Sequence, residues 1–390
     1  MSLSQLCLVL FVVLSCSGQL LLHLGGGGVL IALAPLVVYI FLNSYRLEVY
    51  LLAGFVLLGF LISGFVGVTT ASLDSASSLL ALLTFLSLLF LRYVDLESLS
   101  SWFVNFALVT VVVSILISLL SLIGLQLPLG RTSTVLGLNR LTFLFDEPSH
   151  YAVFLSLSFL VAVRGRESLK RLGVLGGGLV FTWSLSGLIL LFMVLMYFYF
   201  RRVGLLSASI LFSVLLSVAV SIWGSFLSDL DFWLVYKLHS LLLVFSGETI
   251  EGSALVRAYS SGMWYVYLSE SFSIGDYASI VFGEGYGNLE YWVESFYSQE
   301  LGIYSISTTN NFISSLIVSG GLFGFVLYLI SWFGMFGRRT VRGYFELLLL
   351  LVFVSMFSGY AFGSLALLFF FSVAMIVTMG ERGRGGRVRD

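Results

Sequence analysis

Gly130–Tyr151, GRTSTVLGLNRLTFLFDEPSHY, is a polar and charged interruption in an otherwise oily chain, and the fold follows from how it is read. It holds Arg131, Arg140, Asp146, Glu147 and His150 within about one helix-length. Pro148 suits the first position of a helix, since its missing N–H has no partner there anyway. Asp146 and Glu147 place negative charge at the positive end of that helix, and the apolar run Ala152–Val163 continues it. The segment therefore reads as a loop feeding a membrane-spanning helix. Glu147 and His150, three apart, share one face at its mouth.

Outward from this stretch the composition takes over. Hydrophobic residues make up 59% of the chain and charged residues 10%, where a soluble domain carries about 25% charged. An all-α polytopic membrane protein follows. The 40 glycines and 3 prolines fit helices packed closely through small residues. Gly25–Gly28 and Gly176–Gly178 read as packing surfaces rather than loops. Cys7 and Cys16 fall on roughly opposite sides of the first apolar run, which makes both buried apolar filler rather than a pair. No Lys or Arg precedes Val13–Cys16, so the lipoprotein-like cleavage pattern lacks its basic region and the first helix reads as an uncleaved span.

Apolar runs of membrane length fall near 3–22, 26–42, 47–68, 77–91, 102–124, 149–163, 172–200, 203–223, 311–332 and 343–379. Breaking 172–200 at Ser184–Gly187 and 343–379 at Ser358–Tyr360 gives about twelve transmembrane helices. Alternate connections then carry fifteen basic residues on one side and four on the other: Arg131, Arg140, Lys237 and Arg257. The positive-inside rule makes the first side cytoplasmic, with both termini there. Three regions result: 1–223, with spans 1–9 and an outer loop at 125–148; a large outer loop at 224–310; and 311–390, with spans 10–12 and a basic tail. In the large loop, Phe232–Val235 and Leu241–Phe245 around Lys237 and His239 read as a helix in the membrane interface, with an extra pair of spans as the alternative. Ser253–Ser269 reads as a tyrosine-rich helix carrying Arg257 and Tyr259. Gly283–Gly287 follows as a flexible turn. The turn is GxGxG rather than GxGxxG and no strand precedes it, which argues against a nucleotide site.

Thirteen acids share the outer face with four basic residues. Arg131, Arg140 and Arg257 either pair with those acids or hold an anion. A guanidinium matches phosphate oxygens two at a time, so two or three of them suit the diphosphate of a lipid-linked substrate. Each charged hydrogen bond is worth roughly 1.5–3 kcal/mol. No His/Cys/Asp cluster has metal-ligand spacing, so neither a metal nor any other cofactor is expected. A sugar hydroxyl attacking such a substrate needs a base, for which Glu147 and His150 are the candidates, while Glu147 also suits a plain helix cap.

Three stretches resemble a known family. Arg140-Leu-Thr-Phe-Leu-Phe-Asp-Glu147-Pro148-Ser149 is similar to the R-x-x-G-x-F-x-E-P-S stretch of Wzy-type O-antigen polymerases, with Phe143 where that family often has Gly. Arg257 followed by Phe282–Gly287 resembles the arginine and glycine-rich turn in the large outer loop of the wider polymerase and ligase superfamily. Asn311-Phe-Ile-Ser-Ser-Leu-Ile-Val-Ser-Gly-Gly321-Leu-Phe-Gly324 resembles the superfamily's H-N-x-x-L…G-x-x-G start of the next span. Asn310 stands where ligases have histidine, which tilts the reading toward a polymerase.

The resemblance implies a GT-C-like, metal-independent inverting glycosyltransferase. It would join oligosaccharide repeat units carried on undecaprenyl pyrophosphate, at the periplasmic face of a bacterial inner membrane. Glu147, His150 and Arg140 would be catalytic; Arg131, Arg257, Tyr259, Gly285, Asn310 and Asn311 would bind substrate. Its partners would be the lipid-linked oligosaccharide and membrane lipid, with room for a chain-length-determining membrane protein and none for nucleic acid. Two alternatives stand: a ligase delivering glycan to lipid A core, and a lipid-linked glycan transporter or flippase. Transport is disfavoured because nearly all charges fall in connections rather than at mid-membrane, and no internal repeat is present.

Overall fold

A computed structural model describes residues 2–22, 34–36, 38–39, 42, 58, 94–123, 134–135, 138–139, 145, 148–182, 184, 253–285, 288–301 and 311–336. The predicted spans near 47–68, 203–223 and 343–379 lie wholly or almost wholly outside these residues. So do those near 77–91 and 187–200 and the interfacial helix of 232–245. The described helices are α1 (Leu3–Leu22), α2 (Leu96–Leu122), α3 (Pro148–Arg164), α4 (Leu169–Phe181), α5 (Ser253–Ser273), α6 (Tyr277–Phe282), α7 (Leu289–Leu301) and α8 (Phe312–Phe336). The all-helical expectation holds with one local correction: the stretch read as a loop contains a short antiparallel pairing, β1 (Thr134–Val135) with β2 (Leu138–Asn139). A two-residue connection containing Gly137 joins them, as hairpins favour.

Among the described residues two helical segments are long and apolar enough to cross a membrane, Leu96–Ser121 and Ile313–Ile330. The first is α2, which starts before the apolar run at 102–124 because Asp95 caps it. The Asp95 carboxylate accepts from the Glu97 amide (3.2 Å) and the Ser98 hydroxyl (2.7 Å), satisfying donors that a bare helix end would leave open. The Tyr39 hydroxyl accepts from the Asp95 amide at 3.2 Å. Leu99, Phe103, Ala107, Thr110, Val111 and Ser114 form a buried stripe at helical spacing, while Val109, Val112, Leu116 and Leu119 are exposed on the other side.

α3 fills the apolar run at 149–163 and is enclosed almost all round. Every residue from Tyr151 to Ala162 is buried except Phe159. Its serines bond back within the helix, Ser156 to the Ala152 carbonyl and Ser158 to the Phe154 carbonyl, so neither hydroxyl is buried unsatisfied. The helix closes on Arg166, at φ 56°, with Arg166 N–H to the Val163 carbonyl and Glu167 N–H to the Ala162 carbonyl. This is the left-handed helix stop that usually employs glycine, and the tight turn folds α4 back against α3.

α4 ends at Phe181, close to the interruption expected at Ser184. Its glycine run is a packing surface, as read from the sequence. A methyl built at Gly178 would lie 2.6 Å from a Val111 Cγ on α2, whereas one at Gly177 would meet nothing within 4 Å. Gly178→Val is therefore expected to cost about 1–3 kcal/mol by overpacking. Gly177→Ala should be neutral or stabilise by up to about 1 kcal/mol through helix propensity. Thermal unfolding in detergent separates the two, and equal midpoints would remove the α2–α4 contact from the account.

In the C-terminal half, α5 begins at Ser253 as read from the sequence and runs four residues past Ser269. The apolar run 311–332, expected as one uninterrupted span, is instead broken: Gly321 within α8 has φ 61° and ψ −168°. Residues 314–321 are buried, with α5, α6 and α7 against α8; after Gly321, Leu322, Val326 and Ile330 are exposed one turn apart.

Candidate functional site

The Gly130–Tyr151 stretch meets α2 at two points, β2 and Tyr151, and folds onto α3 through Phe145. β2 lies against α2, and Arg140 is the next residue after it. Phe145 is fully buried, its ring 5.4 Å from that of Phe154 and 5.5 Å from that of Tyr151. Phe154 in turn meets Phe103 of α2 edge to face at 5.3 Å. Tyr151, also fully buried, donates its hydroxyl to Thr110 Oγ1 (3.1 Å) and accepts from Ser114 Oγ (3.4 Å), both on α2. An aromatic residue just before a helix that packs on its first turns fixes the angle at which the chain enters it.

His150 is half-buried in the first turn of α3, beside Tyr151. Arg131, Arg140, Glu147 and Asn310 lie outside the described residues. The hairpin nonetheless reverses the chain between the two arginines, three residues after Arg131 and one before Arg140.

A second group of candidates gathers at one end of the α5–α7–α8 block. Asn311 is buried and caps α8, its Oδ1 accepting from the Ser314 amide at 3.0 Å. Ser314 Oγ donates to the Ser260 carbonyl of α5, and the Ser260 hydroxyl bonds that of Tyr297 on α7. Arg257 and Tyr259 occupy the turn of α5 just before Ser260, and Asn311 the turn of α8 just before Ser314, so the Ser314–Ser260 bond joins the helices one turn from each.

Gly285 belongs elsewhere, and the turn around it is not the flexible one expected. Gly283 (φ 73°) and Gly285 (φ 87°) are buried. The Glu284 amide donates to the Val318 carbonyl (2.8 Å) and the Gly285 amide to the Ser319 carbonyl (3.0 Å). Those two carbonyls lie just ahead of the break at Gly321, where the regular helical bonding of α8 is interrupted. The Gly285 N–H is thus committed to a backbone clasp between the turn and α8. Asn288 tightens it, its Nδ2 donating to the Glu284 carbonyl at 2.9 Å.

Tyr267 locks the clasp from α5. Its buried hydroxyl donates to the Ser279 carbonyl (2.9 Å) and Glu284 Oε1 (3.2 Å), and its ring meets Trp292 of α7 edge to face at 5.2 Å. Burial, and next the Glu284 carboxylate, push the phenol well above its ordinary 10.0, so it remains a neutral donor at any physiological pH. Tyr267→Phe is expected to cost about 1–2 kcal/mol. Since the raised phenol stabilises the fold fully below its ordinary value and loses that contribution as pH rises beyond it, the gap between variant and wild type should narrow in strong alkali. Chemical unfolding at neutral pH and above pH 10 checks both.

Two features were not singled out in the sequence: the Phe145–Tyr151 anchor and the Gly283–Gly321 approach. Phe145 lay in plain view inside the F-x-E-P-S pattern. The glycine approach joins positions 38 residues apart, which no local signal announces. Among the described residues no group of His, Cys, Asp and Glu could hold a metal ion. Compared with known families and characterised proteins, the chain matches no family model and no curated protein.

Proposed function

We propose that this chain is a membrane-embedded glycosyltransferase. In this reading it polymerises oligosaccharide repeat units carried on a polyprenyl pyrophosphate, at the outer face of the inner membrane, with about twelve spans in a GT-C-like arrangement. The observation that carries the reading is that β2 and Tyr151, on either side of the Arg140–His150 stretch, are held on the apolar helix α2, while Phe145 within it packs on α3. A rigid helix holding both ends of a charged loop is the support that preorganised electrostatic catalysis requires. Arg131, Arg140 and Arg257 stabilise the departing diphosphate, and Glu147 or His150 accepts the proton of the attacking sugar hydroxyl. Asn311, Tyr259 and Arg257 each lie within a turn of the Ser314–Ser260 bond that joins α5 and α8. Gly285, through its clasp, positions the outer loop.

The sidedness of the chain is tested with cysteines and an impermeant reagent in intact cells. Ser133→Cys and Ser253→Cys are expected to label from outside and Ser168→Cys not to; labelling at Ser168 would overturn the orientation. The chemistry is tested by giving purified protein a carrier-linked repeat unit and resolving the products on a gel. A polymerase converts one band into a ladder. A ligase transfers glycan only to a lipid A core acceptor, and a transporter moves the substrate across a vesicle without joining it.

A further inference from the structure

The turn between α5 and α6 carries an exposed apolar tip. Phe272, Ile274 and Tyr277 are 67%, 77% and 63% exposed, and the Phe272 and Tyr277 rings meet edge to face at 6.2 Å. Large apolar side chains gathered at one exposed turn call for a covering surface. Three observations identify it.

The tip is continuous with the exposed stripe of α8. α6 runs from Tyr277 to Phe282 and lies against α8 at Gly321, so close that a methyl on Gly321 would sit 2.3 Å from the Val281 carbonyl oxygen. Val281 is exposed, and Leu322, Val326 and Ile330 carry the exposed surface onward down α8. From Ser314 to Gly321 α8 is buried; after it, up to Ile330, every fourth side chain is exposed.

The depth of Gly321 follows from the length of α8. Phe336 ends the helix fifteen residues on, about 22 Å along its axis, and Arg338 and Arg339 come next in sequence. With that pair at the inner boundary of a hydrocarbon layer about 30 Å thick, Gly321 falls just inside the outer boundary. α6 and the tip beside it therefore meet the bilayer at the junction of headgroups and acyl chains.

Charge specifies the kind of lipid surface. No Lys, Arg or His occurs anywhere from residue 258 to 337, while Glu270 and Asp276 flank the tip. The Asp276 carboxyl is held below its ordinary range by the Ser279 amide and hydroxyl, which it caps at 3.1 and 2.8 Å. The stretch therefore offers anionic headgroups no cation of its own, and apolar insertion is the attraction it supplies.

We infer that the Phe272–Ile274–Tyr277 tip is an interfacial anchor that inserts into the outer leaflet of a zwitterionic bilayer and seats the α5–α8 block on the membrane. Such anchors sit about 5–10 Å into the headgroup and acyl boundary. The inference rests on α8 crossing the membrane and is independent of the transferase reading.

The test uses the full-length chain with Cys7→Ala and Cys16→Ala, reconstituted in phosphatidylcholine nanodiscs, with bimane attached at Ile274→Cys or, as an aqueous reference, at the exposed Glu294→Cys. At position 274 the emission is expected to be blue-shifted and largely lost when the lipid carries a nitroxide high on its acyl chain, and to resist iodide. At position 294 the pattern reverses. Adding Phe272→Ser and Tyr277→Ser should restore iodide quenching at 274, and anionic lipid should not deepen insertion. Iodide quenching at 274 equal to that at 294 overturns the inference. So does shielding from both quenchers together with disulfide cross-linking of Ile274→Cys copies, which would mark a contact between chains.

Discussion

Gly321→Ala is expected to unfold the α5–α8 block or to lower its stability by about 3 kcal/mol or more. At φ 61° and ψ −168° the residue occupies backbone space that is essentially glycine's alone, and occupancy by another residue costs about 1–3 kcal/mol. Overpacking adds to this. The new methyl would lie 2.3 Å from the Val281 carbonyl oxygen and 2.6 Å from the Gly283 amide nitrogen. Both are backbone atoms, and neither can swing aside as a side-chain tip would. Moving them would break the bonds from the Glu284 and Gly285 amides to α8. Gly262→Ala on α5 is the matched control, since a methyl there meets nothing within 4 Å. Unfolding followed through Trp264 and Trp292 fluorescence should show a large drop for Gly321→Ala and almost none for Gly262→Ala. A difference below about 0.5 kcal/mol, the range of ordinary surface changes, would mean that the clasp does not hold the block together.

The clasp also marks where sequence reasoning reached and where it stopped. The start of α5 at Ser253 and the placement of α3 at Pro148 were legible. A run of periodic apolar residues behind a proline, or behind a polar break, carries its own boundary signal. The break at Gly321 was not. In sequence it lies inside a continuous apolar run, and only the approach of Gly283, 38 positions earlier, makes that glycine's left-handed conformation necessary. For the same reason Gly283 and Gly285, which look in isolation like part of a loose turn, are buried, and the amides of residues 283–285 are all bonded. The β1–β2 pairing was weakly signalled by Thr134, Val135 and Gly137, and the surrounding charge drew the reading toward a loop. At the site, Asn311 was legible as the start of a span and is its cap. The anchoring by Phe145 and Tyr151 depends on α2, some forty residues away, and so was invisible locally.

Loss of the charged groups on the pinned stretch should have the largest effect on activity. In the proposed reaction Arg140→Ala would remove a two-pronged donor from the departing diphosphate, and charged hydrogen bonds of this kind contribute roughly 1.5–3 kcal/mol each, about ten- to a hundredfold in rate. Arg140→Lys should recover little, because an ammonium offers a point charge and no fork. Glu147→Gln keeps shape and hydrogen bonding while removing the proposed base, so if Glu147 has that role chain growth should slow by about 10²–10⁴. His150→Gln should lose less, as an orienting neighbour would. None of these changes touches the Phe145–Tyr151 anchor, so thermal stability should stay close to wild type.

The central claim is that this outer-face stretch does the chemistry, and it is tested most directly by one rate comparison. Wild-type, Arg140→Ala and Glu147→Gln proteins, matched for unfolding temperature and reconstituted in lipid, receive a saturating carrier-linked repeat unit, and the growth of the product ladder is timed. The account predicts a ladder from the wild type and losses of at least about tenfold for Arg140→Ala and a hundredfold for Glu147→Gln. No ladder from well-folded wild-type protein, or ladders of equal speed from all three, would contradict it.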